Sequence, residues 1–292
     1  MKPIFPSVII FLSALTLTSG SSAQDKFPIF EGPYMGQTPP GKTAEVFAPG
    51  IISTDGWELE AVFAPGMEEF YFVTDNEEGR ATIYGFRLDD NKWHKFTEMP
   101  RTGEPFITAD GQTMHLAKGH RHRTASGWSE VQSKGPMFDH DDWGIMRLTA
   151  STRGTYVFDD YKSSEVRVSR IVDGKRQAPT GLPEHINSGE FTAHPFIAPD
   201  ESYLIWDSER EGGYGESDLY ISYRQTDGSW GPAINMGPRV NSDKDDFYGS
   251  VTPDGKFLMF DRTISGSGRN VNVDIYWIDA QIIEDLRPQN QQ

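Results

Sequence analysis

Short apolar runs recur along the chain at a near-constant spacing, each introduced by a polar turn. Five nine-residue segments align without gaps: Ala64–Phe72, Thr108–Leu116, Ala150–Phe158, Ala198–Trp206 and Thr252–Phe260, with starts 44, 42, 48 and 54 residues apart. Where Pro-Asp-Gly stands, as at Pro253-Asp254-Gly255, it presets one φ and supplies the position that needs φ > 0, so each segment reads as a turn leading into a strand. A second strand follows at Thr82–Tyr84, Glu165–Val168, Asp218–Ile221 and Asp274–Trp277. A third element recurs as a turn with a large side chain behind it, at Asn91-Lys92-Trp93, Ser126-Gly127-Trp128 and Asp227–Trp230. A fourth closes several units at Ile52–Thr54, Ile186–Ser188 and Val240–Ser242. Four short strands per repeat of about 45 residues is the signature of a β-propeller blade. The competing arrangement is a string of hairpins in a sandwich.

The ends of the pattern set the number of blades. Residues 44–54 match a closing strand with no complete blade before them, while the last repeat shows opening strands and no clear closing one before Arg287. Pairing the N-terminal strand with the last blade would close the ring and cover both sheet edges. The expected fold is therefore all-β, a propeller of five four-stranded blades closed by an N-terminal strand. Six blades follow if residues 25–57 hide a degenerate unit. On this reading residues 24–57 are an extension carrying the closing strand, 58–287 the propeller and 288–292 a tail.

Ahead of the repeats, Lys2, an apolar run from Val8 to Leu15 and the small residues Ser21-Ser22-Ala23 make residues 1–23 a secretory signal. The run is too short for a comfortable transmembrane helix, and no other stretch reaches about 18 apolar residues. An uncleaved anchor is the alternative. The expected location is periplasmic or extracellular, with no membrane span. Composition then narrows the partners. The chain of 292 residues carries 43 acidic and 27 basic side chains, a formal net charge of −16, and no cysteine. That balance argues against nucleic acid, whose phosphates need clustered Lys and Arg. The missing cysteines remove thiol catalysis, thiolate zinc sites and iron–sulfur clusters, and leave the chain indifferent to an oxidising compartment.

Ala198–Trp206, Ser208–Gly215 and Asp218-Leu219-Tyr220 together resemble the WD-repeat-like β-propeller repeat of the TolB type, and Thr252–Arg262 with Asp274–Tyr276 looks like a second copy. The first three repeats are degenerate: Gly66 replaces the turn Asp, and Ala150–Arg153 lacks Pro-Asp-Gly. The resemblance spans residues 58–280 and implies the fold. For function it implies only a range, from periplasmic interaction modules to carbohydrate-processing enzymes. TolB carries an extra N-terminal domain for which this chain has no room, so a Tol-system role is not expected.

Several motifs invite a reading and do not sustain one. Gly36–Thr43 satisfies the P-loop pattern, but Pro39 and Pro40 have no N–H for a phosphate and a strand, not a helix, follows. His120-Arg121-His122 and Asp139–Asp142 could offer metal ligands, without a third partner in view; polar loop residues are the plainer reading. Asn241–Asp246 is oxygen-rich enough for calcium but lacks the EF-hand glycine and terminal Glu. No cofactor is expected, with calcium there the one alternative; a metal is otherwise unassigned.

The constellation with chemical content lies just ahead of the turn segments. An acid followed by another side chain, usually apolar, stands at Glu58-Leu59, Glu104-Pro105, Asp142-Trp143, Glu190-Phe191 and Asp246-Phe247. One carboxylate per blade near the start of each inner strand would ring the mouth of the central channel. The alignment further puts Glu60, Glu104, His194 and Tyr248 at one equivalent position, four residues before the segment. The structural reading has each carboxylate tying blades together through backbone N–H groups or an Arg such as Arg210 or Arg262. In the functional reading Glu190, His194, Asp246, Glu58 and Glu104 do acid–base work, as glycoside hydrolysis or a polysaccharide lyase requires. Tyr248, Glu60, Asp142, Trp143 and Arg210 then bind the ligand. Two function classes stay open: a propeller binding a carbohydrate or protein ligand at the channel mouth, and a carbohydrate-active enzyme.

Overall fold

The computed structural model describes Phe27 and residues 30–139 and 141–289; the segment 1–23 read as an export signal lies outside them. Among the described residues, five antiparallel sheets are arranged as the blades of a propeller, and the hairpin Ile171–Val172/Lys175–Arg176 forms a separate two-stranded sheet. Blade 1 runs outward from Leu59–Phe63 through Glu69–Asp75 and Ala81–Asp89 to Lys92–Pro100. Blade 2 takes Pro105–Ile107, Thr113–Leu116, Gly119–Thr124 and Gly127–Trp128, with Gln132–Ser133 also on its third strand. Blade 3 comprises Leu148–Ala150, Tyr156–Asp160, Glu165–Ser169 and Thr180–Gly181. Blade 4 comprises Thr192–Ile197, Tyr203–Ser208, Asp218–Tyr223 and Ile234–Asn235. Blade 5 has Asp246–Val251, Phe257–Ser265 and Asn272–Asp279, and its outer strand is Glu45–Val46 from the other end of the chain.

That last pairing sets Glu45 against Trp277 and Val46 against Tyr276, so the ring closes as the repeat pattern requires. Phe47 follows it into a buried aromatic cluster with Phe63, Phe70 and Trp277, which joins blades 5 and 1. Each such side chain removed from water contributes about 1.5–3 kcal/mol. Upstream residues are used as well: Phe30–Glu31 adds a fifth strand to blade 1, and Phe27 packs edge-on against Phe72, Tyr84 and Phe86.

The triplets read as closing strands work differently. The outer strands are only two residues long in blades 3, 4 and 5, and a side chain continues the ladder beyond them. Asn187 accepts from the Val166 N–H at 2.8 Å and donates to the Val166 and Leu182 carbonyls. Asn241 treats Leu219 in the same way, and Ser53 Oγ bonds both the N–H and the carbonyl of Ile275. An amide side chain has the donor and acceptor of a peptide, so it satisfies an edge where the chain itself turns away.

Every turn segment places the same turn position at positive φ, and in blade 1 Gly66, at 94°, precedes it there as well. Gly111, Gly255 and Gly154 take it at 71°, 72° and 79°, while Met67 and Glu201 adopt 61° and 66° despite their side chains. Blade 3 reaches its turn one residue late: Ser151 bonds Thr155, whereas Thr108, Ala198 and Thr252 bond residues five further on. Its turn is one residue shorter, so a gap-free alignment slides its inner strand by one. Arg147, rather than Met146, occupies the position equivalent to Glu60, Glu104, His194 and Tyr248.

Candidate functional site at the channel mouth

With that correction each blade sends one large side chain to the channel mouth: Glu60, Glu104, Arg147, His194 and Tyr248. The inner strands of blades 1, 4 and 5 shift register between Leu59 and Val62, Ala193 and Phe196, and Phe247 and Ser250. At each shift sits a ring residue in the left-handed region, Glu60 at φ 60°, His194 at 44° and Tyr248 at 58°. A bulge of this kind releases one N–H from the ladder and re-aims its side chain. The freed N–H groups donate to an aspartate on the second strand of the preceding blade: Glu60 to Asp261 at 2.8 Å, His194 to Asp159 at 3.1 Å and Tyr248 to Asp207 at 3.0 Å. These aspartates directly follow the nine-residue segment in blades 3, 4 and 5. Blades 1 and 2 have Val73 and Ala117 there, and the ring residues they face, Glu104 and Arg147, are not at positive φ.

Charges alternate across the mouth. Arg101, from the link between blades 1 and 2, donates through Nε to both Glu60 oxygens at 2.8 and 3.0 Å and through its terminal nitrogen to Glu104 at 3.3 Å. Glu104 Oε1 is 3.4 Å from His194 Nε2, and His194 Nδ1 is 2.9 Å from Asp207. The Arg101 loop can lie this close because a Cβ at Gly103 would come within 2.6 Å of the Ala117 backbone nitrogen. Beneath the charges the channel is stopped. The Tyr248 hydroxyl donates across it to the Pro105 carbonyl at 2.6 Å, and Arg147 lies 3.7 Å over the Tyr248 ring while donating to the His194 and Gly249 carbonyls. Arg101 and His194 reach solvent, at 27% and 13% side-chain exposure, and Arg101 lines a cleft of about 350 Å³ with Thr102, Gly103, Ala117, Ile145 and Met146.

Burial and pairing separate the proton affinities. Burial pushes the Glu60 carboxyl up to about 7, against the pull of Arg101 and with the help of Glu104. Burial likewise lifts Asp159 to about 7 and Asp261 well above the carboxylate range. Glu104 goes the other way: burial opposes its charge, but His194 and Arg101 hold it below its ordinary value. Burial opposes the His194 imidazolium too, yet Asp207 and Glu104 on its two nitrogens hold it well above the ordinary value. Ligand atoms of Glu104, Asp159 and His194 all lie within 4.8 Å of one another, a spacing that suits a cation. With a carboxylate on each nitrogen, a proton on His194 supplies that positive charge in the ground state.

Of the residues expected at the site, Glu60, Glu104, His194 and Tyr248 meet here. Glu58 and Asp246 share another place, each accepting from the N–H and hydroxyl of a residue four positions back, Thr54 and Ser242, with Arg262 also on Asp246. Glu190 and Asp142 are exposed. Trp143 packs edge-on against Phe158 with its Nε1 on the Met137 carbonyl. Arg210 donates to the Ile186 carbonyl and stacks on Tyr220 within blade 4. At the calcium candidate, Asn241 and Asp246 spend their oxygens on Leu219, Ser242 and Arg262. Arg101 and the three clamping aspartates were not foreseen, although an Asp recurring after three of five segments was a readable signal.

No protein-family model and no curated protein matches the sequence. Solved structures do, at low identity. A TolB-like protein from Agrobacterium tumefaciens is 14% identical, with a TM-score of 0.45 over 77% of this chain and 78% of that one. The periplasmic gluconolactonase of Pseudomonas aeruginosa is also 14% identical, with a TM-score of 0.44 over 73% and 66%. An exo-β-1,3-galactanase from Phanerochaete chrysosporium is 12% identical, with a TM-score of 0.46 over 80% and 64%. The likenesses concern architecture, and the proteins that carry it differ in activity. Among the described residues no helix is long and apolar enough to cross a membrane.

Proposed function

We propose that this chain is an exported propeller that binds a small hydroxylated ligand of carbohydrate type at the channel mouth. Export rests on the pattern of residues 1–23. One observation carries the binding reading: Glu104 Oε2 is buried and has no hydrogen-bond partner among the described residues, while Oε1 of the same carboxylate is held by Arg101 and His194. A bare buried acceptor costs on the order of 1–3 kcal/mol, which a donated ligand hydroxyl recovers. Arg101, partly exposed at the rim, offers guanidinium N–H groups, so the site presents acceptor and donor together, as recognition of a polyhydroxylated molecule needs.

A second reading is favoured by Glu60 and Glu104, which share one guanidinium yet move in opposite directions. One carboxyl kept protonated near neutrality beside one kept ionised is an acid and a base in one pocket. A single experiment addresses both. The mature protein is titrated calorimetrically with neutral and acidic oligosaccharides, and the same mixtures are assayed for new reducing ends and for unsaturated products. Binding is expected, and Glu104→Gln weakens it at least about tenfold. Silence of the unmodified protein towards every oligosaccharide, or unchanged binding by the variant, sinks the proposal. Product formation that Glu60→Gln abolishes would decide for the enzyme.

A further inference from the structure

Blades 2 and 3 enclose a second cavity of about 550 Å³, on the turn side of the ring and so apart from the channel mouth. Its wall is basic in a molecule whose net charge is −16. His115, His120, His122, Lys134 and Arg176 line it, and Asp110 is the one carboxylate among the lining residues. The topology gathers them from four places. Strand Thr113–Leu116 supplies His115, and the third strand of blade 2 supplies His120 and His122 from alternate positions that share a face. Lys134 follows Gln132–Ser133, and Arg176 comes from the hairpin Ile171–Val172/Lys175–Arg176 beside blade 3.

The cations there lack counter-charges. Lys134 Nζ lies 2.6 Å from His115 Nδ1, and His120 Nε2 is 3.1 Å from His122 Nε2. Arg176 donates to the Ser169 and Gly154 carbonyls and stacks 3.5 Å over Tyr156. The polar partners of Lys134 and Arg176 among the described residues are thus an imidazole, a phenol, carbonyls and a hydroxyl. Burial, with Arg176 adding to it, pushes the Lys134 ammonium down to about 7, and burial with Lys134 holds His115 well below its ordinary value. Two facing imidazoles could chelate a metal, but the adjacent ammonium repels a cation and already occupies His115. A bound oxyanion, by contrast, supplies the absent charge through charge-assisted hydrogen bonds. Hydroxyls of Thr108 and Thr113 and the rings of Phe138 and Tyr156 complete a wall suited to a ligand of sugar size.

We propose that this cleft binds a small organic oxyanion, a carboxylate or phosphate ester of about monosaccharide size. The test is calorimetric titration of the protein with glucuronate, glucose 6-phosphate, inorganic phosphate and uncharged glucose. Acidic ligands are expected to bind and glucose not to, and the glucuronate and phosphate arms identify the oxyanion. Glucuronate binding should weaken as pH rises through about 7, where Lys134, faced by His115, His120, His122, Arg176 and Asp110, loses its proton. Lys134→Met should lower affinity about tenfold or more, and His122→Gln, at an exposed position, several-fold with an unchanged melting midpoint. If Lys134→Met does not fold, the His122 variant and the pH profile decide. The inference is overturned if no acidic ligand binds, if glucose binds as well as glucuronate, or if these variants leave affinity unchanged. It is also overturned if glucuronate binding is lost with Glu104→Gln and kept with Lys134→Met, which places the anion at the channel mouth.

Discussion

Glu60, His194 and Tyr248 hold backbone angles that residues with a Cβ rarely take, and each is kept there by an aspartate of the neighbouring blade on its N–H. The three aspartates share a position and differ in what else they do. Asp261 faces backbone and is driven towards its protonated form by burial, whereas Asp207 also holds the His194 imidazolium. Asparagine keeps a carbonyl acceptor at both places but can neutralise no cation. Asp261→Asn should therefore cost less than about 1 kcal/mol, while Asp207→Asn takes one of two carboxylates from the buried His194 imidazolium and should cost about 1.5–3 kcal/mol. Urea unfolding of the two variants checks this, and equal losses would mean that the clamp alone matters. At this scale the sequence showed the ring positions through their offset from the turn. It could not show the bulges, because a register shift depends on what the partner strand offers.

The blade as an element depends on side chains standing in for a strand. Asn187, Asn241 and Ser53 each cap the third strand of a blade whose outer strand has only two residues. The Ile-Asn-Ser and Val-Asn-Ser triplets were visible as a repeat, yet a triplet does not reveal whether its main chain or its side chain closes the sheet. Asn241→Ala removes bonds to both polar groups of Leu219 and to Asn235, leaving buried backbone unpaired. The expected loss is about 1–3 kcal/mol with the fold retained, read from the urea midpoint, and an unchanged midpoint would show that water replaces the amide.

For the whole molecule, the buried channel-mouth groups make stability fall as pH rises, while His115 and Lys134, which bind protons less tightly when folded, act in the opposite sense. Glu60 and Asp159 bind protons more tightly when folded, at about 7, than in the unfolded chain, whose ordinary values are 4.5 and 3.8. They therefore cost stability as pH rises towards 7. The raised His194 imidazolium contributes stability that is fully present below its unfolded value and is lost as pH climbs through its folded one. Relative to the unmodified protein, Glu60→Gln should therefore shift the pH profile of the melting midpoint upwards towards pH 7, where the buried carboxyl would have to ionise. Parallel profiles of the two proteins between about pH 5 and pH 7 would contradict the burial of Glu60. A propeller closed by a strand from within residues 44–54 follows from the sequence alone, because a repeat of four short strands buries its faces only against copies of itself; five blades rather than six, and Glu45–Val46 as the closing strand, are settled by the structure. The place of Arg147 in the ring, the Arg101 bridge and the basic cleft between blades 2 and 3 were decided by tertiary structure. A one-residue difference in a turn, a loop crossing between blades and a meeting of four separate segments leave no local mark on the chain, since their partners are distant in sequence.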